Sequence, residues 1–337
     1  MENLHEIEIT KNDLLYCIFA ITKKCNLRCK WCFENSDCQA EEKSLSTKEI
    51  IRVIKKLKGL KGISISGGEA SLHPDIIKIM IEVKKSCDGP HLLSNGIFLH
   101  DTLLSFLQKN KIRLTISLDG LKKQHEKIRG LGSYNKTIKS IRKAVSLNIP
   151  TSIQCTLSKN NLTDVEGLIK LANKLCVHHI SFMRMKPLGR GTGLEDETLS
   201  SSEIKNVIEK INKIKSKSKV EIIFKDPLDN TLNKELRNFS FENDCVAGGC
   251  RAGVESIYIE YNGDIFPCPF FRYKIGNAIN DNPFKIFKDS VVLQKIRQQK
   301  NYDKCKNCEN WLICRGCRAE PFLRDGNYLG DDVGCWH

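Results

Sequence analysis

Residues 22–35 read TKKCNLRCKWCFEN and place Cys25, Cys29 and Cys32 in a C-x3-C-x2-C spacing. The stretch follows an apolar, β-rich run, LLYCIFAIT (14–22), so the three thiols stand just past the end of a predicted first strand. Three close cysteines suit a metal centre but fall one short of a closed four-ligand site. A cubane held by three thiolates leaves one iron open to a small molecule. A zinc ion completed by a distant ligand, or thiols buried as apolar side chains, gives the same spacing.

Outward from this stretch the chain alternates strands and helices. Further strands are expected at GISISGG (62–68), HLLSN (91–95), IRLTISLD (112–119), TSIQCTLS (151–158) and HISFMRM (179–185). Helices are expected near 47–58, 74–86, 101–109, 134–147 and 162–176. Ser46-Thr47-Lys48-Glu49 forms a capping box for the first helix, and Pro74 suits the first position of the second. Six such units imply a parallel sheet with helical crossovers, either a partial (β/α)6 TIM-like barrel or a doubly wound open sheet. In both, the site forms at the C-terminal strand ends. Those ends carry Gly67-Gly68-Glu69, Ser94-Asn95-Gly96 and Ser117-Leu118-Asp119-Gly120.

Composition narrows the classes. The 337 residues are 40% hydrophobic and 28% charged, ordinary for a soluble globular protein. No apolar run reaches membrane-spanning length, and the opening MENLHEIEITKND is too polar for a signal peptide, so a cytoplasmic location is expected. Sixteen cysteines in a reducing compartment favour metal over disulfides. The formal charge of +14 comes mostly from lysines scattered along helices, as in IRVIKKLKGLKG, with no basic block interleaved with aromatics. A nucleic-acid partner is disfavoured, and an acidic or anionic substrate fits better.

After PLGRGTGLEDETLSSSE the pattern changes. We expect a barrel domain over 1–195, a linker with a helix and short strand over 196–240, and a small cysteine-rich C-terminal domain over 241–337. In SIYIEYNGDIFPC, Asn262-Gly263 is a hairpin turn between alternating runs. The last domain carries Cys245, Cys250, Cys268, Cys305, Cys308, Cys314, Cys317 and Cys335. Its C-x2-C pairs suit structural zinc as well as iron–sulfur clusters.

Taken together, CNLRCKWC, SGGEASLHPD, LLSNG and SLDG resemble the radical S-adenosylmethionine (radical SAM) superfamily over about residues 13–190. In that family the open iron is chelated by the amino and carboxylate groups of S-adenosyl-L-methionine. An electron from the cluster then gives a 5′-deoxyadenosyl radical that abstracts hydrogen from substrate. The resemblance implies that Cys25, Cys29 and Cys32 bind the cluster, and that Gly67, Gly68 and Glu69 hold the methionine amine. It places Trp31 near the adenine, with Ser94, Asn95, Ser117 and Asp119 lining the pocket and Arg129 as a carboxylate partner. The C-terminal pattern resembles the SPASM extension, which holds two auxiliary [4Fe-4S] clusters and so makes three in all. Carried over, Cys245, Cys250, Cys268 and Cys317 bind the first, and Cys305, Cys308, Cys314 and Cys335 the second. The family commonly has three residues between the last two cysteines of the quartet, whereas CRGC has two, which bears on Cys317.

Relatives of this architecture mostly modify peptides, as ribosomal-peptide maturases or anaerobic sulfatase-maturating enzymes. The latter carry an aspartate base where this chain has Pro269, which disfavours that activity. A first strand near residue 14 leaves no room for an N-terminal leader-recognition domain, so a separate leader-binding protein or a small substrate is expected. The leading expectation is oxidative modification, a crosslink or related maturation, of a ribosomally made peptide, with a flavodoxin- or ferredoxin-type electron donor. The alternative is a dehydrogenase, epimerase or decarboxylase acting on a sugar, aminoglycoside or tetrapyrrole. A non-catalytic zinc or iron–sulfur binding protein is the reading from a different class. Cys155, in the fifth strand, is expected to face the barrel interior as a hydrogen donor. Cys17, Cys38, Cys87 and Cys176 are expected in the core or on the surface.

Overall fold

The computed structural model describes residues 13–39, 43–232 and 248–337. The six expected strands are present as β1 (Tyr16–Ala20), β2 (Leu60–Ser66), β3 (Cys87–Ser94), β4 (Arg113–Ser117), β5 (Thr151–Leu157) and β6 (His179–Arg184). They pair in sequence order, all parallel, and β7 (Glu221–Phe224) continues the sheet beyond β6. On the other side of β1 the sheet extends through β8 (Ser256–Ile259), which runs parallel to β1. The antiparallel strands β9 (Asp264–Phe266) and β10 (Gly276–Asn277) complete it. The Asn262-Gly263 turn joins β8 to β9 as the hairpin signal predicts, with Gly263 at a φ of +90°. The β1–β7 ladder is a partial barrel: β7 and β10 are the two edges, and β7 does not return to β1.

Each strand has two faces. Ile63 and Ile65, Leu114 and Ile116, Ile153 and Leu157, and Ile180 and Phe182 are buried in one core with helix residues such as Ile50, Ile54, Leu104, Ile141 and Leu168. The alternate positions, among them Ser64, Ser117, Gln154, Thr156 and Met183, are half-buried and face the lumen. The covering helices are α1 (Thr47–Lys56), α2 (Ile76–Ser86), α3 (Asp101–Lys109), α4 (Lys122–Arg129), α5 (Ser133–Ser146) and α6 (Val165–Leu175). Helix α7 (Ser201–Lys215) packs on β7.

The Ser46–Glu49 capping box is present at α1. Helix α2 begins at Ile76 instead of Pro74, because Glu69 caps a short 3-10 turn over Ala70–Leu72 and Pro74 falls in the bend that follows. Helix α4 lies outside the expected elements; only His125 and Ile128 of KKQHEKIR are buried, too little for a periodic signal.

The barrel is joined to the C-terminal segment by buried charges. Arg184, the last residue of β6, ion-pairs with Asp226 beyond β7 and holds both carboxylate oxygens of Asp332, at 3.2 and 3.0 Å. Lys186 ion-pairs with Glu320. Burial alone would raise the Asp332 carboxyl, but the Arg184 guanidinium overrides it and holds that group well below the ordinary range. Asp332 also accepts the Cys317 N–H at 2.7 Å and the Gly334 N–H at 2.9 Å. Arg184→Ala strands two buried carboxylates, so a loss of about 3–5 kcal/mol is expected, read as a lower denaturant midpoint. An unchanged midpoint would show that water replaces the guanidinium at no cost.

Candidate active site

The cysteine loop is set on the sheet by backbone contact. The Gly68 N–H donates to the Thr22 carbonyl at 2.7 Å, and the Glu69 N–H to that of Lys24 at 2.9 Å. A Cβ on Gly68 would stand 2.4 Å from the Lys24 carbonyl oxygen and 2.5 Å from that of Lys23. Gly67 has a φ of +146°, and a Cβ there would meet the Thr22 oxygen at 2.4 Å. Two glycines are therefore the condition for strand end β2 to touch the segment leading into Cys25.

Glu69 is buried, and its carboxylate accepts four bonds: Ser71 N–H at 3.1 Å, Ser71 hydroxyl at 2.6 Å, Ser94 hydroxyl at 2.9 Å and Asn95 N–H at 2.6 Å. It ties the ends of β2 and β3 together, and its acceptor capacity is largely filled by the protein. Asn95 in turn donates from Nδ2 to Asn26 at 2.8 Å and to the Cys25 sulfur at 3.7 Å.

Asp119 is equally buried. Its carboxylate accepts the Thr156 N–H at 2.8 Å and Arg129 Nε at 2.7 Å, and the Arg129 Nη1 lies 4.0 Å from the Cys29 sulfur. The Asp119 N–H donates to His125 Nδ1 at 3.2 Å; burial lowers that histidine to about 4, which keeps it a neutral acceptor. Ser117 lies on the lumen face between buried Ile116 and Leu118. Trp31 is buried against Ile128, Met185 and Leu194, fastening the cysteine loop to α4 and to the segment after β6.

Two residues escaped sequence reasoning. Arg190 binds the cysteine loop from outside, donating to the Cys29 carbonyl at 2.9 Å, Asn35 Oδ1 at 3.3 Å and the Ser36 carbonyl at 2.6 Å. Asn161 donates to the carbonyls of Asp119 at 2.9 Å and Thr156 at 2.8 Å. The PLGRG stretch was the one signal available for Arg190; Asn161 had none.

Cys155 does not face the lumen. Strand alternation puts it with Ile153 and Leu157 in the core under the helices, fully buried, while Gln154 and Thr156 point inward. A thiol on that side has no approach to a substrate in the barrel. Cys17 is also in the core, Cys87 is half-buried at its edge, and Cys38 and Cys176 are exposed.

Every described cysteine is a free thiol, and the C-terminal ones gather in two places. Burial pushes Cys268 up to about 12, and the neighbouring Cys317 and Cys250 add to the rise. Burial likewise raises Cys305 to about 11, opposed by Arg318 and reinforced by Cys308 and Cys335. Burial raises Cys314 as well, and Cys305 of that second group adds to the rise. A cavity of about 330 Å³ opens among Cys305, Cys308 and Cys335. Cys245 lies outside the described residues.

In the first triad, burial pushes Cys25 up to about 12 against one N–H bond from Leu27, and Glu69, Cys29 and Cys32 press it further. Among the described residues, His178, His179 and Glu221 are the one trio with ligand atoms all within 4.8 Å.

Comparison with known proteins agrees. A family model described as the radical SAM superfamily matches residues 19–172, and one for an iron–sulfur cluster-binding (SPASM) domain matches 250–309. A GTP 3′,8-cyclase of Clostridium perfringens is 31% identical over 306 residues, covering 83% of this chain and 90% of the relative. The chain belongs to the radical SAM superfamily. An AdoMet-dependent heme synthase of Methanosarcina barkeri is 26% identical over 335 residues, covering 94% of each chain. Among solved structures, Streptococcus suis SuiB bound to S-adenosylmethionine shares the fold, with a TM-score of 0.79 at 20% identity over 96% of this chain and 77% of that one. The same protein bound to its precursor peptide SuiA gives 0.80 at 20% identity, over 96% of this chain and 76% of that one. As a radical SAM enzyme with a SPASM domain, the chain takes iron–sulfur clusters and S-adenosylmethionine as cofactors.

The glycine contact makes one prediction for this radical SAM chain. Gly68→Ala forces backbone against backbone, which no rotamer change relieves, and should cost about 1–3 kcal/mol, measured as a lower melting temperature. An unaltered melting temperature would mean that the 22–25 segment can move away freely.

Proposed function

We propose that the chain is a peptide-modifying radical SAM oxidoreductase, and the observation that carries the radical chemistry is the three-thiol set at the strand ends. Cys25, Cys29 and Cys32 would hold a [4Fe-4S] cluster, with the fourth position left for S-adenosylmethionine. Backbone groups of Gly67 and Gly68 suit the methionine amine, with Glu69, Ser94 and Asn95 fixing the loop behind them. Arg129, oriented by Asp119, suits the methionine carboxylate, and Trp31 and Ser117 border the space for the nucleoside. Cys250, Cys268 and Cys317 with Cys245 would hold one auxiliary cluster, and Cys305, Cys308, Cys314 and Cys335 another. Bound together, these groups supply a hydrogen-abstracting radical and an acceptor for the electron removed from substrate.

The peptide reading is supported by the fold shared with SuiB, whose structure holds a precursor peptide. A separate leader-binding protein and a flavodoxin- or ferredoxin-type donor complete it. A second reading, oxidation of a tetrapyrrole, is favoured by the end-to-end match with the M. barkeri heme synthase.

Anaerobically reconstituted protein given reductant and S-adenosylmethionine should release 5′-deoxyadenosine, and Cys25→Ala, Cys29→Ala or Cys32→Ala should abolish it. A colourless, zinc-loaded protein that releases none would end the radical reading. Deleting residues 335–337 should lower bound iron by one cluster's worth, and undiminished iron would detach Cys335 from the second auxiliary site. With a candidate substrate, loss of hydrogen from a peptide or of carbon dioxide from a tetrapyrrole, read by mass spectrometry, separates the two readings.

A further inference from the structure

The ring of strand ends is divided in two. The cysteine loop and the polar ends of β2, β3 and β4 form one side, and the lumen wall from β5 to β7 is left facing them. In that wall Gln154, Ser181 and Ile223 are in register across β5 to β7, and Ser117 of β4 continues the row. Two residues further up, on the same face, lie Thr156, Met183 and Lys225.

Lys225 is the unusual member. It continues β7, its N–H donating to the Phe182 carbonyl at 2.7 Å, and alternation after buried Ile222 and Phe224 turns its side chain into the lumen. Its ammonium donates to Gln154 Oε1 at 2.7 Å, and Gln154 Nε2 contacts the Met183 sulfur at 3.3 Å. Among the described residues no carboxylate lies within ion-pairing distance of it. The residue is exposed to solvent through the open lumen, and partial desolvation there lowers its pKa to about 8. Burial, reinforced by Arg113 and Lys225, pushes the half-buried His91 and His179 down and keeps both neutral, so Arg113 and Lys225 are the cations that act on this part of the barrel. A solvent-exposed ammonium that faces the lumen, with a neutral amide as its protein partner, is free to donate a charge-assisted hydrogen bond to an anion that enters.

We propose that Lys225, steadied by Gln154, is the docking point for a carboxylate of the substrate, holding the substrate against the β5–β7 wall opposite the cysteine loop. The proposal rests on the reading of the lumen as the reaction chamber. It names the chemistry that either substrate class must present, an acidic side chain of a peptide or a propionate of a tetrapyrrole. Lys225 is a positioning residue in this scheme: it orients substrate and takes no part in bond breaking.

Binding to reconstituted holoenzyme tests it directly. The probes are coproporphyrin III, followed by its fluorescence, and a fluorescent glutamate-rich peptide. Each is paired with an uncharged counterpart, the tetramethyl ester or the matching glutamine peptide. One of the two acids should bind at least about ten-fold tighter than its counterpart, the worth of one charge-assisted hydrogen bond. Lys225→Met should erase that preference, and Lys225→Arg should keep it. Preference for the porphyrin assigns the carboxylate to a tetrapyrrole, and preference for the peptide to an acidic side chain. If neither acid is preferred, or Lys225→Met prefers it as strongly as the wild type, the proposal is overturned. Release of 5′-deoxyadenosine by the wild type without probe is measured alongside. Its absence would remove the radical reading and leave the binding result standing.

Discussion

Everything at the mouth of the barrel depends on two backbones meeting without side chains between them. Where Gly67 and Gly68 leave β2, they lie against the carbonyls of Thr22, Lys23 and Lys24, close enough that one methyl group would part them. This contact sets the height of Cys25 above the sheet. Glu69, next in the chain, converts it into a joint by accepting four bonds from Ser71, Ser94 and Asn95. Since a buried carboxylate is costly unless satisfied, the loop has one arrangement that satisfies it, and the thiols inherit that precision.

The second dependence is electrostatic. Arg184 and Lys186 at the end of β6 face Asp226, Asp332 and Glu320 in an interior that excludes water. Such a set adds little net stability over apolar packing, but it tolerates no other alignment of the C-terminal segment with the barrel. Asp332 also accepts the Cys317 N–H, so the same charges that dock the segment orient a cysteine. A parallel arrangement serves the first triad, where Asp119 orients Arg129 beside Cys29.

The parts of this design that could be read beforehand are those with local periodicity. Strands β1 to β6 were legible because each is an apolar run of strand length bounded by turn residues. The thiol sets were legible because cluster ligands recur at short spacings. The orientation of Cys155 was also written in TSIQCTLS, where Ile153, Cys155 and Leu157 share one parity and Ser152, Gln154 and Thr156 the other. The apolar parity belongs under the helices, so the cysteine belongs there too. What could not be read is whatever acts at a distance. Arg190 clamps backbone carbonyls more than a hundred residues away, α4 buries too few side chains to leave a pattern, and Arg184 meets acids on two separate segments.

The same distinction explains why the lumen emerges only from the fold. Nothing in VEIIFKD marks Lys225 as different from the many lysines on helix surfaces. Its difference is created when β7 pairs with β6 and the alternation of Ile222 and Phe224 sends the next odd position inward. Two of the buried cations sit against acids, Arg129 against Asp119 and Arg184 against Asp226 and Asp332, and two others, Arg315 and Arg318, are answered by backbone carbonyls. Lys225 differs from all of these in being exposed to the lumen and held by a neutral glutamine, which leaves its ammonium available to a carboxylate brought by substrate.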